Sequence, residues 1–270
     1  MNSIPRKPDF LGEKFAARFQ DQSVVDRYHL RLTYPPETFR ILANLIADDP
    51  RAVLDAGCGT GDVARHLLDY AERIDAVDIS LPMLEKGKAL PGGDSPKIRW
   101  LHGKIEEITL FPPYALITAG QSLHWMEWDI VLPRFRQVLA PHGYFAILNA
   151  EATPTQWDEA LHQVTRRYST NRGYQHFDLI EELEKRSLFQ KQGELYTAPA
   201  PFEQCLLDRI EALHAQSSLS RDAMGTEMAE AFDQEIKALL TPFVFDGKIA
   251  LSVVGHIVWG KPLSPGEQVR

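Results

Sequence analysis

The chain has 270 residues, enough for one large α/β domain or one domain with a sizeable insertion. Hydrophobic residues at 44% and charged residues at 24% describe an ordinary globule and exclude a disordered or fibrous chain. The formal net charge of −8 argues against a nucleic-acid partner, and two cysteines are too few for a disulfide framework. No run reaches the roughly 18 apolar residues of a membrane helix, and the start lacks an apolar leader-like stretch. The expectation is a cytoplasmic protein, monomeric or homodimeric, with no membrane or nucleic-acid partner and no metal.

Taken in chain order, residues 9–32 are predicted to be helical, with Phe10, Phe15 and Phe19 at helix-like intervals. "YPPE" then breaks the pattern, since proline is tolerated only in a helix's first turn. From Glu37, the spacing of Phe39, Leu42, Leu45 and Ile46 gives one apolar helical face. "AVLDAG" and "RIDAVDIS" are predicted strands, each ending near an acid, separated by a helix "DVARHLLDYA". "LPMLEKGKAL" is a helix that Ser80 is placed to cap. "KIRWLHG", "ALITAG" and "GYFAILNA" are three further strands, with "WDIVLPRFRQVLA" a helix between the last two. This alternation implies a parallel sheet covered on both faces. After Pro154 it stops. "TQWDEALHQVTRRYS", "DLIEELEKR", "PFEQCLLDRIEALHAQ" and "GTEMAEAFDQEIKALL" are predicted helices, with one strand around residues 194–198, before "GKIALSVVGHIVWGK" returns to strand character. The expected division is 1–150, 151–245 and 246–270.

The stretch "VLDAGCGTGDVARHLL" puts Gly57, Gly59 and Gly61 at alternate positions just after Asp55. Glycine tolerates unusual dihedrals and has no side chain to hold a ligand off. A strand, a glycine turn and a helix together make a nucleotide site, because the helix amino end offers unpaired amides. About 20 residues on, Asp78 closes the next strand, placed to accept hydrogen bonds from both ribose hydroxyls. Asp62 opens the intervening helix, and its charge opposes the pyrophosphate of a dinucleotide. A cationic, phosphate-free ligand suits an acid-lined loop better. S-adenosylmethionine (SAM) is such a ligand, and Asp55 is placed to engage its amino acid end through water or a neighbour.

These segments carry a family resemblance. "VLDAGCGTGD" and "DAVDIS" followed by "ML" resemble the nucleotide-binding half of class I SAM-dependent methyltransferases. "GKIEEI", "AGQSLHWMEWD" and "FRQVLAPHGYFAI" are similar to that family's third, fourth and fifth motifs. "HW" after the fourth strand, with "VVDRYHLRLTYPPE" and "IALSVVGHIVWGKP", resembles the small-molecule branch (methyltransferase type 11) that includes trans-aconitate methyltransferase-like proteins. The resemblance implies a Rossmann-like, doubly wound, mostly parallel sheet with an antiparallel last strand and a helical substrate-cap insertion. It also implies SAM as cofactor, S-adenosylhomocysteine (SAH) as product and a small organic acceptor, with a carboxylate or a natural-product intermediate among the candidates.

Carried over residue by residue, the resemblance sets Gly57, Cys58 and Gly59 beneath the methionine part of SAM, with Asp55 orienting its ammonium. Asp78 holds the ribose, and Ile79 and Met83 cover one adenine face. Gln121 and Leu123 line the methionine end, and Tyr28, Arg31 and Tyr34 form part of a lid. One position departs from the pattern. Where relatives carry Gly-Asp-Ala-Glu, this chain has Gly103-Lys104-Ile105-Glu106, and a lysine ammonium cannot accept from the adenine amino group. The amide of Ile105 remains available to the ring.

Plainer readings stand beside these. His124 is a candidate acceptor of a substrate proton, or a loop hydrogen-bonding residue; Trp125 is a candidate substrate contact, or the packed floor of the pocket. Arg166, Arg167 and Arg172, among Trp157, Tyr168, Tyr174, His176 and Phe177, suit a small acid or are surface charge. The expected function is methyl transfer to a small metabolite. The alternatives are a SAM-binding or non-methylating, cyclase-like protein on the same fold, and an NAD-dependent dehydrogenase.

Overall fold

Eight strands build one sheet in this computed structural model, which describes residues 7–175 and 177–264. They are β1 Ala52–Ala56, β2 Arg73–Asp78, β3 Ile98–His102, β4 Tyr114–Gly120, β5 Leu139–Ala152, β6 Phe189–Tyr196, β7 Ala200–Cys205 and β8 Lys248–Pro262. Their order across the sheet is β3-β2-β1-β4-β5-β8-β6, with β7 also paired to β8. The pairs among β1 to β5 are parallel, whereas β8 runs antiparallel to β5, β6 and β7. The predicted mixed sheet with an antiparallel closing strand is therefore present.

Side-chain alternation along β1 divides the core into two layers. Ala52, Leu54 and Ala56 join Val131, Leu132 and Phe135 of the helix Trp128–Val138 on one face. Val53 joins Phe39 and Leu42 of the helix Pro36–Asn44, and Val63 and Ala64 of Asp62–His66, on the other. Both faces being buried explains why β1 is an unbroken apolar run around a single acid. A third cluster holds the later helices together: Val164 from Asp158–Tyr168, Ile210 and Leu213 from Leu206–His214, and Phe232 and Ile236 from Thr226–Leu240.

Four local predictions differ from what is observed. The segment 9–32 is not one helix but a chain of short turns, including Glu13–Ala16 and Gln22–Arg27. The helix after the glycine loop stops at His66. The strand placed around 194–198 begins at Phe189, and residues 201–205, read as the start of a helix, belong to β7, which continues it along β8. Thr197 bridges the break: its amide donates to the Gly255 carbonyl at 2.9 Å. The third helix of the later group therefore starts only at Leu206, where the Cys205 sulfur accepts from the Asp208 amide at 3.3 Å. By contrast, Pro36 sits in the first turn of its helix and Ser80 caps Leu81–Lys88, as expected.

Among the described residues, no helix is long and apolar enough to cross a membrane. Nor do they contain a cluster of three His, Cys, Asp or Glu residues able to hold a metal ion.

Candidate active site

The strand order reverses between β1 and β4, and the carboxyl ends of β1, β2, β3 and β4 open on one edge of the sheet. Open α/β sheets hold ligands in such a crevice. The loop between β1 and its helix turns sharply here. Gly57, Gly59 and Gly61 have φ of +68°, +55° and +71°, a left-handed conformation that favours glycine. Each is also crowded by a different neighbour. A Cβ on Gly57 would lie 2.5 Å from the Ser122 Cβ, one on Gly59 would lie 3.2 Å from the Tyr28 hydroxyl, and one on Gly61 would lie 2.4 Å from the Trp100 ring. The alternate glycines thus let the loop pass close to the β4 loop, the N-terminal segment and β3 in turn. For Gly57 this corrects the expectation that its missing side chain chiefly leaves room for a ligand.

The loop is tied to the second strand. The amides of Gly57 and Cys58 both donate to the Val77 carbonyl at 2.9 Å. The Asp78 carboxylate accepts the Gly59 amide at 2.8 Å on one oxygen and the Ser80 amide at 2.8 Å on the other. Each oxygen keeps a further lone pair for a ligand. Burial raises the Asp78 carboxyl above the usual carboxylate range, and the two amides oppose that shift.

A cavity of about 250 Å³ lies over this loop, lined by Gly57, Gly59, Asp78, Ile79, Met83 and Ile105. Its wall is acid-rich: Asp78 is joined by Glu13, Glu106, Glu107 and Glu127, against the single cation of Lys104. Lys104 is exposed and pairs with Glu13 at 2.6 Å. A second, larger cavity of about 1370 Å³ lies toward the later helices, and Phe19, Gln121, Ser122 and Trp125 line both.

Residues 53–143, about a third of the chain, match the family of methyltransferase domains. That stretch is similar to a methyltransferase domain. The chain is 34% identical over 103 residues to the malonyl-[acyl-carrier protein] O-methyltransferase of Halalkalibacterium halodurans, covering 36% of this chain and 38% of that one. It is 30% identical over 152 residues to the trans-aconitate 2-methyltransferase of Enterobacter sp., covering 54% and 57% respectively. The chain thus spans less than two thirds of the length of each. Two solved structures share the fold. A provisionally assigned type II methyltransferase from Anaeromyxobacter dehalogenans superposes with a TM-score of 0.58 at 23% identity, over 87% of this chain and 99% of that one. A phosphoethanolamine N-methyltransferase from Haemonchus contortus, solved with SAH, gives 0.52 at 16% identity, over 92% and 59%.

Around the glycine loop, the residues named from the sequence fall into three groups. Tyr28, Gly57, Gly59, Asp78, Ile79, Met83, Lys104, Ile105 and Gln121 line the smaller cavity. Arg31, Leu123 and His124 line the larger one, and Trp125 with Gln121 stands between the two. Asp55, Cys58 and Tyr34 line neither. The Asp55 carboxylate is buried and turned inward, accepting from the Ala64 amide at 3.2 Å and the Thr118 hydroxyl at 2.9 Å. Burial pushes it up to about 7, against those two hydrogen bonds. The Cys58 thiol packs into the helix-side core, and burial holds it well above the usual thiol range. Tyr34 lies behind Gly120, where an added Cβ would come within 2.8 Å of its hydroxyl.

Gln121 occupies a left-handed conformation, φ 52°, directly after β4. Its amide nitrogen donates to the Ala150 carbonyl at 3.3 Å, and its side-chain oxygen accepts from Arg31. Arg31 in turn stacks over the Tyr28 ring at 5.3 Å. His124 contacts the Trp125 ring at 4.6 Å, and Phe19 meets Trp125 edge-on at 5.8 Å. Burial, then the positive charges of Arg31 and Lys7, lower the His124 imidazole to about 4. At neutral pH it is an uncharged ring with acceptor capacity and weak basicity.

Sequence reading missed Ser122, whose hydroxyl donates to the Ala56 carbonyl at 2.7 Å, and Phe19, whose helical spacing marks only an apolar face. It also missed the residues of the larger cavity drawn from distant segments, such as His162, Arg209 and Gln216. Arg166, Arg172, Tyr174 and Phe177 line that cavity. Arg167 instead pairs with Glu235 at 2.5 Å, while Trp157 and Tyr168 pack with the later helices' core. His176 lies outside the described residues.

Proposed function

We propose that the chain is a SAM-dependent methyltransferase that acts on a small organic molecule. The observation that carries this reading is an acid-rich cavity, built on the glycine loop and Asp78, that shares Phe19, Gln121, Ser122 and Trp125 with a second cavity. Five carboxylates against one ion-paired lysine favour a ligand bearing sulfonium and ammonium charges and oppose a pyrophosphate. The dinucleotide reading fares poorly on that ground.

In this assignment Asp78 accepts from the ribose, Ile79, Met83 and Ile105 enclose the adenine, and Gly57, Gly59 and Gln121 flank the methionine end. Asp55 is a positioning residue: it fixes the loop through Ala64 and Thr118 rather than touching the ligand. Tyr28, Arg31 and Tyr34 remain the proposed lid, with Tyr28 alone of the three on the smaller cavity's wall. Bound SAM would supply an activated methyl group to the acceptor's lone pair and would leave as SAH, a neutral thioether that keeps the sulfur–methyl bonding pair. The protein's part is alignment and exclusion of water, which Phe19, Ser122 and Trp125 are placed to provide at the junction. Neutral His124 is available to take a proton from an acceptor that still holds one, and is dispensable for one that does not.

Calorimetry with SAM, SAH and NAD tests the reading. SAM and SAH are expected to bind, and Asp78→Ala to weaken both by about 10- to 150-fold, the loss of a hydrogen bond to a charged group. Binding of NAD with no heat from SAM would overturn it.

A further inference from the structure

The larger cavity is walled by two helices that meet across it. From Asp158–Tyr168 and the residue following, His162, Thr165, Arg166 and Ser169 face in; from Leu206–His214 and beyond, Arg209, Ala212, Leu213 and Gln216 do so. Both sets follow the i, i+3, i+4, i+7 spacing of a single helical stripe. Within this wall, Arg209 stands apart from the other cations. Its Nε is buried without a hydrogen-bond partner, and among the described residues the guanidinium makes no ion pair or ring contact. Arg31 is engaged by Gln121 and Arg172 by the Arg167 carbonyl, whereas Arg166, likewise without a partner among the described residues, is exposed to solvent. The carboxylate whose charge acts on Arg209 is Asp158, whose oxygens are already held by the Thr155 amide and hydroxyl.

A guanidinium whose Nε is buried and unpaired costs free energy that no partner within the protein repays. The cavity's own charge balance points the same way. Arg31, Arg166, Arg172 and Arg209 face two acids, of which Asp178 accepts from the Glu181 amide at 3.0 Å and Glu151 from Asn149 at 3.1 Å.

Resting on the methyltransferase reading above, we propose that the acceptor carries an oxyanion, a carboxylate or a phosphate ester, and that Arg209 is the residue that anchors it. The planar fork of arginine matches both groups through two parallel hydrogen bonds. Arg209 lines the larger cavity and not the one assigned to the cofactor, so it is assigned to the acceptor. Arg209 is a specificity-determining residue, not a participant in bond making.

The full-length protein, saturated with SAH, is titrated calorimetrically with succinate, tricarballylate, glycerol 3-phosphate and the neutral succinamide. At least one anion is expected to bind where succinamide does not, and the carboxylate and phosphate arms tell the two sources apart. Arg209→Gln is expected to weaken that anion by about 10- to 100-fold, as loss of a charge-assisted bond does, while SAH affinity stays within about twofold. Arg167→Gln, outside the cavity, is expected to change neither. The ligand-free Arg209→Gln variant should melt at or above the wild-type temperature, since no hydrogen bond is removed. Equal binding of anions and succinamide, absence of any anion binding, unchanged anion affinity in Arg209→Gln, or a lowered melting temperature with joint loss of SAH and anion would overturn the assignment. If SAH itself fails to bind the wild type, the cofactor reading falls, and the anion arms repeated without SAH still decide the role of Arg209.

Discussion

Gly57→Ala separates what the loop glycine does for the fold from what it does for a ligand. Alanine at φ +68° pays about 1–2 kcal/mol for the left-handed conformation. Its Cβ would also lie 2.5 Å from the Ser122 Cβ, far inside contact distance. Ser122 has little room to yield. Its hydroxyl is bound to the Ala56 carbonyl at 2.7 Å, and it follows Gln121, whose own φ is 52°. Displacing it forfeits that hydrogen bond, about 1 kcal/mol, and strains the β4 loop. The sum is a destabilisation of about 2–4 kcal/mol, or a fall of roughly 5–10 °C in melting temperature for a chain of this size. Urea unfolding and scanning calorimetry measure it directly. Ser122→Gly in the same chain removes the colliding carbon but leaves the dihedral cost, so the double variant should recover about 1–2 kcal/mol relative to additivity. Gly59→Ala behaves differently, because its Cβ meets only the Tyr28 side chain, no closer than 3.2 Å at the hydroxyl. It should cost less stability while weakening SAM more for each kcal/mol of stability lost. A Gly57→Ala protein within 1 kcal/mol of wild type, or no recovery with Ser122→Gly, would refute the crowding account.

Two buried groups titrate in opposite senses over one pH range, and single variants expose each. Asp55 has a folded pKa of about 7, raised from about 3.9 in the unfolded chain, so the native state holds its proton longer and stability is lost as pH rises through that window. Asp55→Asn mimics the protonated acid, and against wild type it should gain on the order of 4 kcal/mol between pH 4 and pH 8; parallel urea curves for the two proteins would contradict this. His124 lies at about 4, depressed from about 6.5, so its contribution is present above pH 6.5 and lost as pH falls toward 4. His124→Gln should remove on the order of 3 kcal/mol of that acid lability, and an unchanged acid limb of the stability profile would show the ring is not sequestered. In turnover, the same depression predicts no His124 inflection near pH 6.5, which a pH–rate profile of wild type and variant would reveal.

The parts legible in sequence are those set by short-range rules. The acid-bearing strands Ala52–Ala56 and Arg73–Asp78 give themselves away as apolar runs because both faces are buried, and Ser80 and Pro36 because caps and first turns demand those residue types. The Asp78 carboxylate follows from its place at a strand end. Its inward counterpart Asp55 reads alike in sequence, yet the two side chains point to different surroundings, one into the cavity and one under Ala64 and Thr118. Alternation along a strand sets facing, but the partner arriving from β4 decides what a facing residue meets. Arg209 was invisible for a related reason: its significance is an absence of partners, which only the assembled cavity displays.

The N-terminal segment shows why periodicity alone misjudged a helix there. Phe15, Val24 and Val25 do keep an apolar face, and they are buried. The polar residues between them are spent on distant chain rather than on helix continuation. Asp21 accepts from the Ser220 hydroxyl at 3.1 Å, the Ser23 hydroxyl donates to Asp222 at 2.7 Å, and Arg27 pairs with Glu211. Glu211 also holds Arg221, which reaches Asp233, so these turns are bolted to the helices that wall the larger cavity. Arg31, at the end of the same segment, spans from the Ala215 carbonyl at 3.4 Å to Gln121 at the sheet edge. A continuous helix would carry these side chains around its circumference; a chain of short turns can direct them all to one surface. The segment therefore trades local hydrogen bonds for tertiary ones, and what it gains is a fixed position for Phe19, Tyr28 and Arg31 over the junction of the two cavities.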